Sequence, residues 1–427
     1  MRLQSVPVKI ATSATPVTVL RTASAAVDFG SATLPRWTES SRDTAPELSF
    51  SIHTDLGAVE GEWRNFQQVA ECTPFQTFEW LSAWQRHIGT RRDIVPAIVV
   101  GCFAHGKTAF ILPLAVEQRR WSKRLCWLGE ELCDYNAPLL ARDFAQRVTA
   151  DGFLAFWRAL QTRMQSDPRL RYDWIEFAKM PQTVGAQVNP FTYLDVAPNA
   201  NSAHITQLGD DWETFYRDKR SSATRRRDRT KHKRMSEFGE IRFVTATAAD
   251  DVRQTLDTLW AQKKQIFARR GIADIFSRPG YRELFDEFAS SPQTRHLVHV
   301  SRVEVGATCA AANFAVIFGD CYYHLLSSYC DGPLTRLGPG VLHLRELLAY
   351  AIRSGLRLFD FTIGDENYKL EWSDLRLKLY DYSAAATVRG LPANCASIVR
   401  RRIKRFIKQT PPVWRLVCRV RSIVGPI

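Results

Sequence analysis

Residues 309–372 read CAAANFAVIFGDCYYHLLSSYCDGPLTRLGPGVLHLRELLAYAIRSGLRLFDFTIGDENYKLEW, and the order of elements in this stretch decides the fold. Two apolar runs, Cys309 to Phe318 and Cys321 to Tyr329, are rich in residues that favour strands. Gly319-Asp320 between them is typical of a two-residue hairpin turn. The aromatic and polar residues of the second run indicate a strand with one face in a site. The stretch therefore begins with an antiparallel strand pair.

A glycine-rich loop, Gly332–Gly340, separates this hairpin from a helix. Apolar residues recur at helical spacing from Val341 to Ile352, and Gly355 is typical of a helix end. Arg357 to Thr362 then predicts a further strand. Backbone N–H groups and the positive end of the helix dipole at such a loop favour a pyrophosphate, although many loops of this composition are only turns. The loop is a candidate phosphate site.

The upstream sequence supplies the other elements of the same unit. It predicts a strand over 240–245, helices over 252–269 and 281–290, and a strand over 296–302. The resulting order is a strand, two helices, three antiparallel strands, a phosphate loop, a helix and a strand. This order resembles that of the GNAT superfamily of N-acetyltransferases.

The resemblance is closer to the CelD-like branch, whose members are acetyltransferases linked to cellulose and exopolysaccharide synthesis and are related to Fem-type aminoacyltransferases. Four segments carry it: Pro74–Leu81, Asp134–Leu139, Leu337–Gly340 and Phe359–Trp372. The resemblance implies an α/β (α+β) fold of two tandem GNAT-like units, each with a mixed, mostly antiparallel sheet flanked by helices. It also implies acetyl-CoA or another acyl-CoA as donor, and no metal.

One position departs from the family pattern. The GNAT phosphate loop usually begins with Gln or Arg three residues before its first glycine, and Thr335 stands there in this chain. Arg336 is the adjacent residue that could replace the missing side chain. Pro339 also removes one backbone N–H from the loop.

Composition shifts divide the chain into four parts. Residues 1–46 are rich in Ala, Thr, Ser and Val, which predicts a disordered segment. Residues 47–200 predict an N-terminal GNAT-like domain, and residues 201–390 a C-terminal acetyltransferase domain with the phosphate loop. Residues 391–427 form a basic amphipathic tail.

The overall composition fits an enzyme with large cores. The chain has 427 residues, of which 45% are hydrophobic and 24% charged. No apolar run reaches the roughly 20 residues that span a membrane, and no apolar signal core is found near the start, so we expect a cytoplasmic protein. Its nine cysteines are scattered without a C-x-x-C pair, which predicts reduced thiols and no structural zinc.

The net charge of +14 is concentrated in two segments. Tyr216 to Arg234 contains ten Lys or Arg and two Asp. This cluster is interpreted as a charged helix face, as a surface for the phosphates of a lipid-linked or nucleotide-bearing substrate, or as a nucleic-acid surface. Since His232 is the only ring between Arg217 and Arg234, stacking on bases is poorly supported.

The second basic segment runs from Tyr382 to Ile427, where ten Lys or Arg occur without an acid. Bases alternate there with apolar residues such as Ile403, Phe406 and Trp414. This pattern is typical of a helix that lies on an anionic membrane surface, and equally of a solvated basic helix. The membrane alternative would place the protein at the inner face of the cytoplasmic membrane, next to a polysaccharide synthase.

Acyl transfer needs a group that accepts the proton of the nucleophile and a group that protonates the leaving thiolate. We predict three sets of site residues around the phosphate loop. The catalytic candidates are Asp360, Tyr368, Lys369 and His324. The donor-binding candidates are Arg336, Leu337, Gly338, Gly340 and Val341. The acceptor-binding candidates are Asp134, Tyr135, Asn136, Tyr329 and Glu366. Asp360 could instead pair with an arginine at a strand end, and His324 could be structural.

The sequence supports one main function and two alternatives. The main hypothesis is an acyltransferase that modifies an amine or hydroxyl of a sugar, sugar nucleotide or lipid-linked saccharide in envelope or exopolysaccharide synthesis. The first alternative is a Fem-like aminoacyltransferase. The second is a membrane-associated accessory protein of a polysaccharide synthase that has lost turnover, which Thr335 and Pro339 favour.

Overall fold

The computed structural model describes residues 48–410, 412–415, 417 and 420. The predicted disordered segment, residues 1–46, and part of the predicted basic tail therefore lie outside the described residues. Within the described ranges no helix is long and apolar enough to cross a membrane.

From residue 48, where the described part begins, to the end of β9, the first half of the chain combines nine strands with four helices. The strands are β1 (Ser49–His53), β2 (Val95–Cys102), β3 (Thr108–Gln118), β4 (Lys123–Trp127), β5 (Leu139–Leu140), β6 (Trp174–Pro181), β7 (Thr183–Val184), β8 (Gln187–Val188) and β9 (Ala197–Gln207). The helices are α1 (Glu60–Gln67), α2 (Phe78–Trp84), α3 (Phe144–Arg147) and α4 (Ala150–Ser166). Thr77 caps α2 by accepting a hydrogen bond from the Trp80 amide.

The second half repeats this organisation with longer helices. Its helices are α5 (Trp212–Lys219), α6 (Ser222–Ser236), α7 (Ala249–Arg270), α8 (Tyr281–Ser290), α9 (Pro339–Arg353), α10 (Asn367–Trp372) and α11 (Leu391–Gln409). Its strands are β10 (Ile241–Thr245), β11 (Val298–Val305), β12 (Thr308–Phe318), β13 (Cys321–Tyr329), β14 (Leu358–Ile363) and β15 (Leu375–Ala385). The hairpin β12–β13, the helix α9 and the strand β14 confirm the elements predicted for residues 309–372.

All strands except β7 and β8 join one sheet in the order β1-β2-β3-β4-β6-β15-β9-β14-β13-β12-β11-β10, with β5 beside β3. Two pairs in it are parallel, β4 with β6 and β13 with β14, and the others are antiparallel. The predicted fold class, a mixed and mostly antiparallel sheet flanked by helices, is therefore confirmed.

The two halves exchange a strand at the centre of the sheet. β9 follows β6 in the chain but pairs with β14, while β15 follows β14 and pairs with β6. The two exchanged strands also pair with each other. Residue 200, where the sequence suggested a boundary between domains, lies inside β9. The halves consequently share one continuous sheet.

Helices cover both faces of this sheet. On one face α2, α7 and α8 pack with Phe314 and Val316 in a single core cluster. On the other face α4 packs against the first half and α9 against the second. Alternation along the strands explains the division, since Ala315 belongs to the α9 cluster and its neighbour Val316 to the α7 cluster.

Aromatic side chains fill the space beside the parallel strands of the first half, β4 and β6. Trp127, Trp157, Phe177 and Phe191 contact one another there, with ring centroids about 5 to 6 Å apart. Asn136 closes it further, because its amide N–H donates to Lys179 O (3.1 Å) and its side chain to Ala178 O (2.9 Å). This half therefore holds a packed core where the second half holds a cavity.

Candidate active site

The site begins where β13 and β14 separate. Only Cys321–Tyr323 pair with Leu358–Asp360, and beyond these residues the two parallel strands diverge. A cavity of about 480 Å³ lies beside the divergence. One wall comes from the end of β13, with Ser327, Ser328 and Tyr329. Other walls come from α10 and from the start of α9. This volume falls in the range of roughly 300 to 1,000 Å³ that is typical of small-molecule sites.

The start of α9 forms one wall of the cavity. Gly338 caps the helix with φ of +76°, a conformation that favours glycine, and Pro339 is the first helical residue. Gly338 O accepts hydrogen bonds from Val341 N (3.0 Å) and Leu342 N (3.1 Å). Gly338, Gly340 and Val341, all predicted donor-binding residues, line the cavity. The positive end of a fifteen-residue helix thus faces the space.

The basic cluster predicted from the sequence forms a second wall. α6 places Thr224, Arg227 and Lys231, which are spaced at helical periodicity, along the cavity. A Cβ atom built on Gly338 would lie 3.8 Å from Lys231 Nζ. Arg220 and Arg270 also line the cavity. Four cationic side chains therefore line the cavity.

The acids on this wall are already used by neighbouring groups. Asp228 accepts a hydrogen bond from Tyr216 O–H (2.6 Å), and Glu371 accepts one from Arg220 (2.6 Å). Arg227 and Lys231 form no ion pair within the described part of the chain. Their charges are available to an anionic ligand, and phosphate oxygens are strong partners for them.

Arg336 and Leu337 do not reach this cavity. Arg336 is exposed and does not belong to the cavity wall, and Leu337 packs with Met235 of α6. Both were predicted to bind the donor, but neither side chain lines this cavity; Leu337 lies beside Gly338 and Val341 in a neighbouring hollow. Lys231 and Arg227 supply the positive charge that Thr335 does not.

His324 lies on β13 just beyond the last residue paired with β14. It is 6% exposed, lines the cavity, and its Nδ1 atom has no hydrogen-bond partner among the described residues. Burial, with smaller contributions from the charges of Lys369 and Lys263, lowers the pKa of His324 to about 3. The imidazole is therefore neutral at physiological pH and presents an unpaired ring nitrogen.

Asp360 lies in the interior, on β14 opposite Tyr323, the residue of β13 that precedes His324. Tyr135 O–H donates to its two carboxylate oxygens (2.8 and 2.9 Å), and Thr362 N–H donates to Oδ1 (2.7 Å). Burial, followed by the nearby Asp134, raises the pKa of Asp360 to about 7, although these hydrogen bonds and Lys369 act in the opposite direction. The alternative of an arginine partner is wrong.

Asp134 and Lys369 bring the halves together beside Asp360. Burial raises the pKa of Asp134, while Lys179 and Lys369 lower it. Lys369 is 5% exposed, and its Nζ donates to Ile363 O (2.7 Å) and lies 3.3 Å from a carboxylate oxygen of Glu366. Asp134, Lys369 and Glu366, which were all predicted as site residues, lie near one another. Asn136 has a structural role instead, because its side-chain amide is bound to β6.

Two tyrosines complete the cavity. Tyr368 follows β14 and Tyr329 ends β13, and both line the cavity as the sequence suggested. Burial raises the pKa of Tyr368 well above its usual value, and Glu366 contributes to the shift. The Tyr368 hydroxyl therefore keeps its proton at physiological pH.

Lys263 and Lys179 lie near predicted site residues, and the sequence did not indicate either of them. Burial lowers the pKa of Lys263 to about 8, and the charges of Arg270 and Lys369 contribute to this shift, which places Lys263 near both groups. Lys179 Nζ donates to Cys133 O (2.6 Å). Each lysine lies on an element that the linear sequence separates from the phosphate loop by more than 60 residues, so no local pattern marks it.

The comparison with known families fits this geometry. Residues 222–370, from the start of α6 into α10, match the family model described as an acetyltransferase (GNAT) domain. This part of the chain resembles a GNAT acetyltransferase domain. All the residues that line the cavity lie within it except Arg220, Glu371 and Trp372. The match supports acyltransferase activity with an acyl-CoA donor.

Several solved structures are similar to this chain at low sequence identity. FemX is 9% identical with a TM-score of 0.52, and the match covers 75% of this chain and 95% of FemX. A conserved protein of unknown function from Bacteroides thetaiotaomicron VPI-5482 is 12% identical, with coverage of 79% and 100% and a TM-score of 0.48. A tandem GNAT protein from the clavulanic acid pathway is 12% identical, with coverage of 80% and 99% and a TM-score of 0.44. No curated protein sequence matches the chain.

FemX shows that the fold of both halves occurs in a solved structure, and it shows nothing about the substrate. The two matches with TM-scores below 0.5 carry no argument. The CelD-like resemblance is confirmed only at the level of the GNAT domain.

Proposed function

We propose that this chain is an acyltransferase that transfers an acyl group, most simply acetyl, from acyl-CoA to an amine or hydroxyl of a saccharide. The acceptor would be a sugar, a sugar nucleotide or a lipid-linked saccharide in cell-envelope or exopolysaccharide synthesis, cellulose included. One observation carries the proposal: the diverging strands, the start of α9 and the basic face of α6 meet around one cavity.

The residues of the chain suggest how the donor binds. The pyrophosphate of acyl-CoA lies at the start of α9, where Gly340 and Val341 face the cavity and the helix dipole favours negative charge. Lys231 and Arg227 neutralise the phosphates from α6. The thioester then extends along β13 toward His324.

The acceptor approaches from the side of Asp134, Glu366 and Lys369, where the two halves meet. Carboxylates and an ammonium group suit an acceptor that carries several hydroxyl groups, because they provide both hydrogen-bond acceptors and donors. Lys263 and Arg270 stand on the same side. They would favour an acceptor with an anionic group, such as a sugar nucleotide.

The chemistry requires one proton acceptor and one proton donor. The nucleophile attacks the thioester carbon, the C–S bond breaks, and His324 Nδ1 accepts the proton of the nucleophile. The proton passes from His324 to the leaving thiolate of CoA, and the Tyr368 hydroxyl, which stays protonated, donates a hydrogen bond to the sulfur. Both groups line the cavity, and neither forms a covalent bond to the substrate.

A Fem-like aminoacyltransferase remains the alternative, and one observation favours it. The outer face of α6 exposes Arg226, Arg229 and Lys233, which form no ion pair among the described residues. Such a face suits the backbone of a nucleic acid, as in an aminoacyl-tRNA donor.

The proposal is tested by the release of free thiol from acetyl-CoA in the presence of amino sugars, nucleotide sugars and lipid-linked saccharides. We expect acceptor-dependent release, and a kcat that falls about 100-fold or more in His324→Ala while acetyl-CoA still binds. His324→Asn, which keeps a polar group near the Nδ1 position, separates chemistry from packing.

Three results would contradict the proposal. Transfer from aminoacyl-tRNA without thiol release from acetyl-CoA would establish the aminoacyltransferase alternative. Full activity in both His324 variants would remove His324 from the mechanism. If neither acetyl-CoA nor aminoacyl-tRNA binds, the result would indicate an accessory protein that has lost catalytic activity.

A further inference from the structure

The last long helix, α11, packs on the sheet with its polar side. It contacts β6, β9 and β15 at the centre of the sheet. Ser397, the one buried residue of α11, donates to Glu176, and an Arg400 nitrogen lies 3.4 Å from the same carboxylate. Lys408 donates to Asn201 of β9. Hydrogen bonds and ion pairs hold α11 in place.

The opposite side of α11 is apolar and faces outward. Val399, Ile403 and Phe406 are 54%, 53% and 63% exposed. Their spacing of four and three residues places them in one stripe along the helix. A helix that packs on a core normally buries such a stripe, so the orientation of α11 is reversed. The stripe is therefore available to something outside the described chain.

The exposed stripe continues at the beginning of α11 and onto another part of the fold. Val388 is 83% exposed, Leu391 is 48% exposed, and Trp121 in the turn between β3 and β4 is 70% exposed. Arg389 joins these segments, since its Nε donates to Trp121 O (2.9 Å). The six apolar residues Trp121, Val388, Leu391, Val399, Ile403 and Phe406 are named the α11 surface.

Arginines flank the α11 surface, and acids are missing from its helical side. Arg119 and Arg120 precede Trp121, and the Arg120 guanidinium lies 5.0 Å from its ring centroid. Arg402 is exposed beside Ile403. From residue 382 to 427 the sequence contains ten Lys or Arg and no acid. A partner must therefore offer negative charge together with an apolar phase.

We propose that the α11 surface binds an anionic phospholipid bilayer, with α11 lying along the membrane and Trp121 at the interface. Exposed Val, Ile, Leu and Phe insert below the headgroups, while arginines contact the phosphates. A second copy of the chain fits poorly, because a two-fold contact would place like charges against each other. A nucleic acid would leave the aliphatic side chains without a partner.

The test is co-sedimentation of the full-length protein with phosphatidylcholine vesicles, with and without phosphatidylglycerol. We expect binding that needs phosphatidylglycerol and weakens with added salt. Ile403→Ser with Phe406→Ser should weaken binding about tenfold or more, and so should Trp121→Ser. All three side chains are exposed, so thermal unfolding of these variants should match the wild type.

The matched control is Phe238→Ser, because Phe238 is 55% exposed in the turn between α6 and β10, outside the α11 surface. This variant should bind as the wild type does. Equal binding by the α11 variants and the wild type would overturn the proposal. So would dimers in lipid-free buffer that the Ile403 and Phe406 changes dissolve, since they would assign the α11 surface to contact between copies.

Discussion

At the scale of single residues, the centre of the molecule is defined by polar groups that the interior keeps in unusual protonation states. Asp360 holds a proton more strongly than an exposed acid, and His324 holds one less strongly than an exposed imidazole, in both cases mainly because burial penalises the charged form. Thr362, which donates to Asp360, has φ of +59°, a strained conformation for a β-branched residue. Strain and shifted pKa values coincide where β13 and β14 separate.

Asp360 makes a prediction about stability and pH. Its pKa in the folded state is about 7, above the ordinary value of 3.8, so between these values the folded state binds more protons than the unfolded state. Stability from this group is complete below pH 4 and is lost as the pH rises through 7, by about 1.4 kcal/mol per pH unit. Asp360→Asn should remove this loss, so the variant should gain stability relative to the wild type from pH 5 to 7.

Urea unfolding of both proteins at several pH values measures the effect. Asp250→Asn, which changes an exposed carboxylate, is the control and should follow the wild type at each pH. A constant difference between Asp360→Asn and the wild type from pH 5 to 7 would show that Asp360 is ionised throughout.

At the scale of elements, the donor site arises from two helices that meet. α9 supplies a helix start and α6 supplies the cations beside it, and neither is sufficient alone. Two glycines at this junction have different functions. Gly338 needs its positive φ for the cap, whereas Gly340 is helical and a Cβ atom there would lie 3.5 Å from Tyr329, an ordinary contact.

A substitution at Gly340 can therefore test donor binding without disturbing the fold. Gly340→Val should reduce the affinity for CoA at least about tenfold, because its methyl groups occupy the cavity while the backbone remains allowed. Stability should change by less than about 1 kcal/mol. Gly340→Ala is the smaller control and should keep most of the affinity. Titration of both variants decides the point, and unchanged affinity in Gly340→Val would place the donor elsewhere.

At the scale of the whole molecule, the two halves share one sheet, but only the second half contains the candidate donor cavity. The first half fills the gap between its parallel strands with Trp127, Trp157, Phe177 and Phe191, and the second half leaves a cavity there. The first half still reaches the site, through Tyr135 and Asp134. The exchange of β9 and β15 fixes this arrangement, because each half depends on a strand from the other.

The sequence predicted the elements whose signals are local. The hairpin β12–β13, the glycine loop, α9 and β14 were readable from turn residues and apolar spacing, and the bounds of β13 and α8 agree with the prediction. The strand exchange was not readable, because β9 carries no regular apolar alternation and its pairing partners lie far away in the chain.

The candidate site could be predicted only in part, because some of its residues come from segments that are far apart in the chain. Gly338, Gly340, His324 and Tyr368 lie within one stretch with a recognisable order. Lys231 stands in a basic run that has several interpretations until its distance from Gly338 is known. Contacts between distant segments, such as Tyr135 with Asp360, follow from packing and leave no pattern in the linear sequence.

The most direct test of the account is calorimetric titration of the full-length protein with acetyl-CoA and with CoA. We predict micromolar binding, weakened about tenfold or more in Lys231→Gln and unchanged in Arg229→Gln, because Lys231 lines the cavity and Arg229 lies outside its wall. Absence of binding in the wild type, or equal losses in the two variants, would contradict the assignment of this cavity to acyl-CoA.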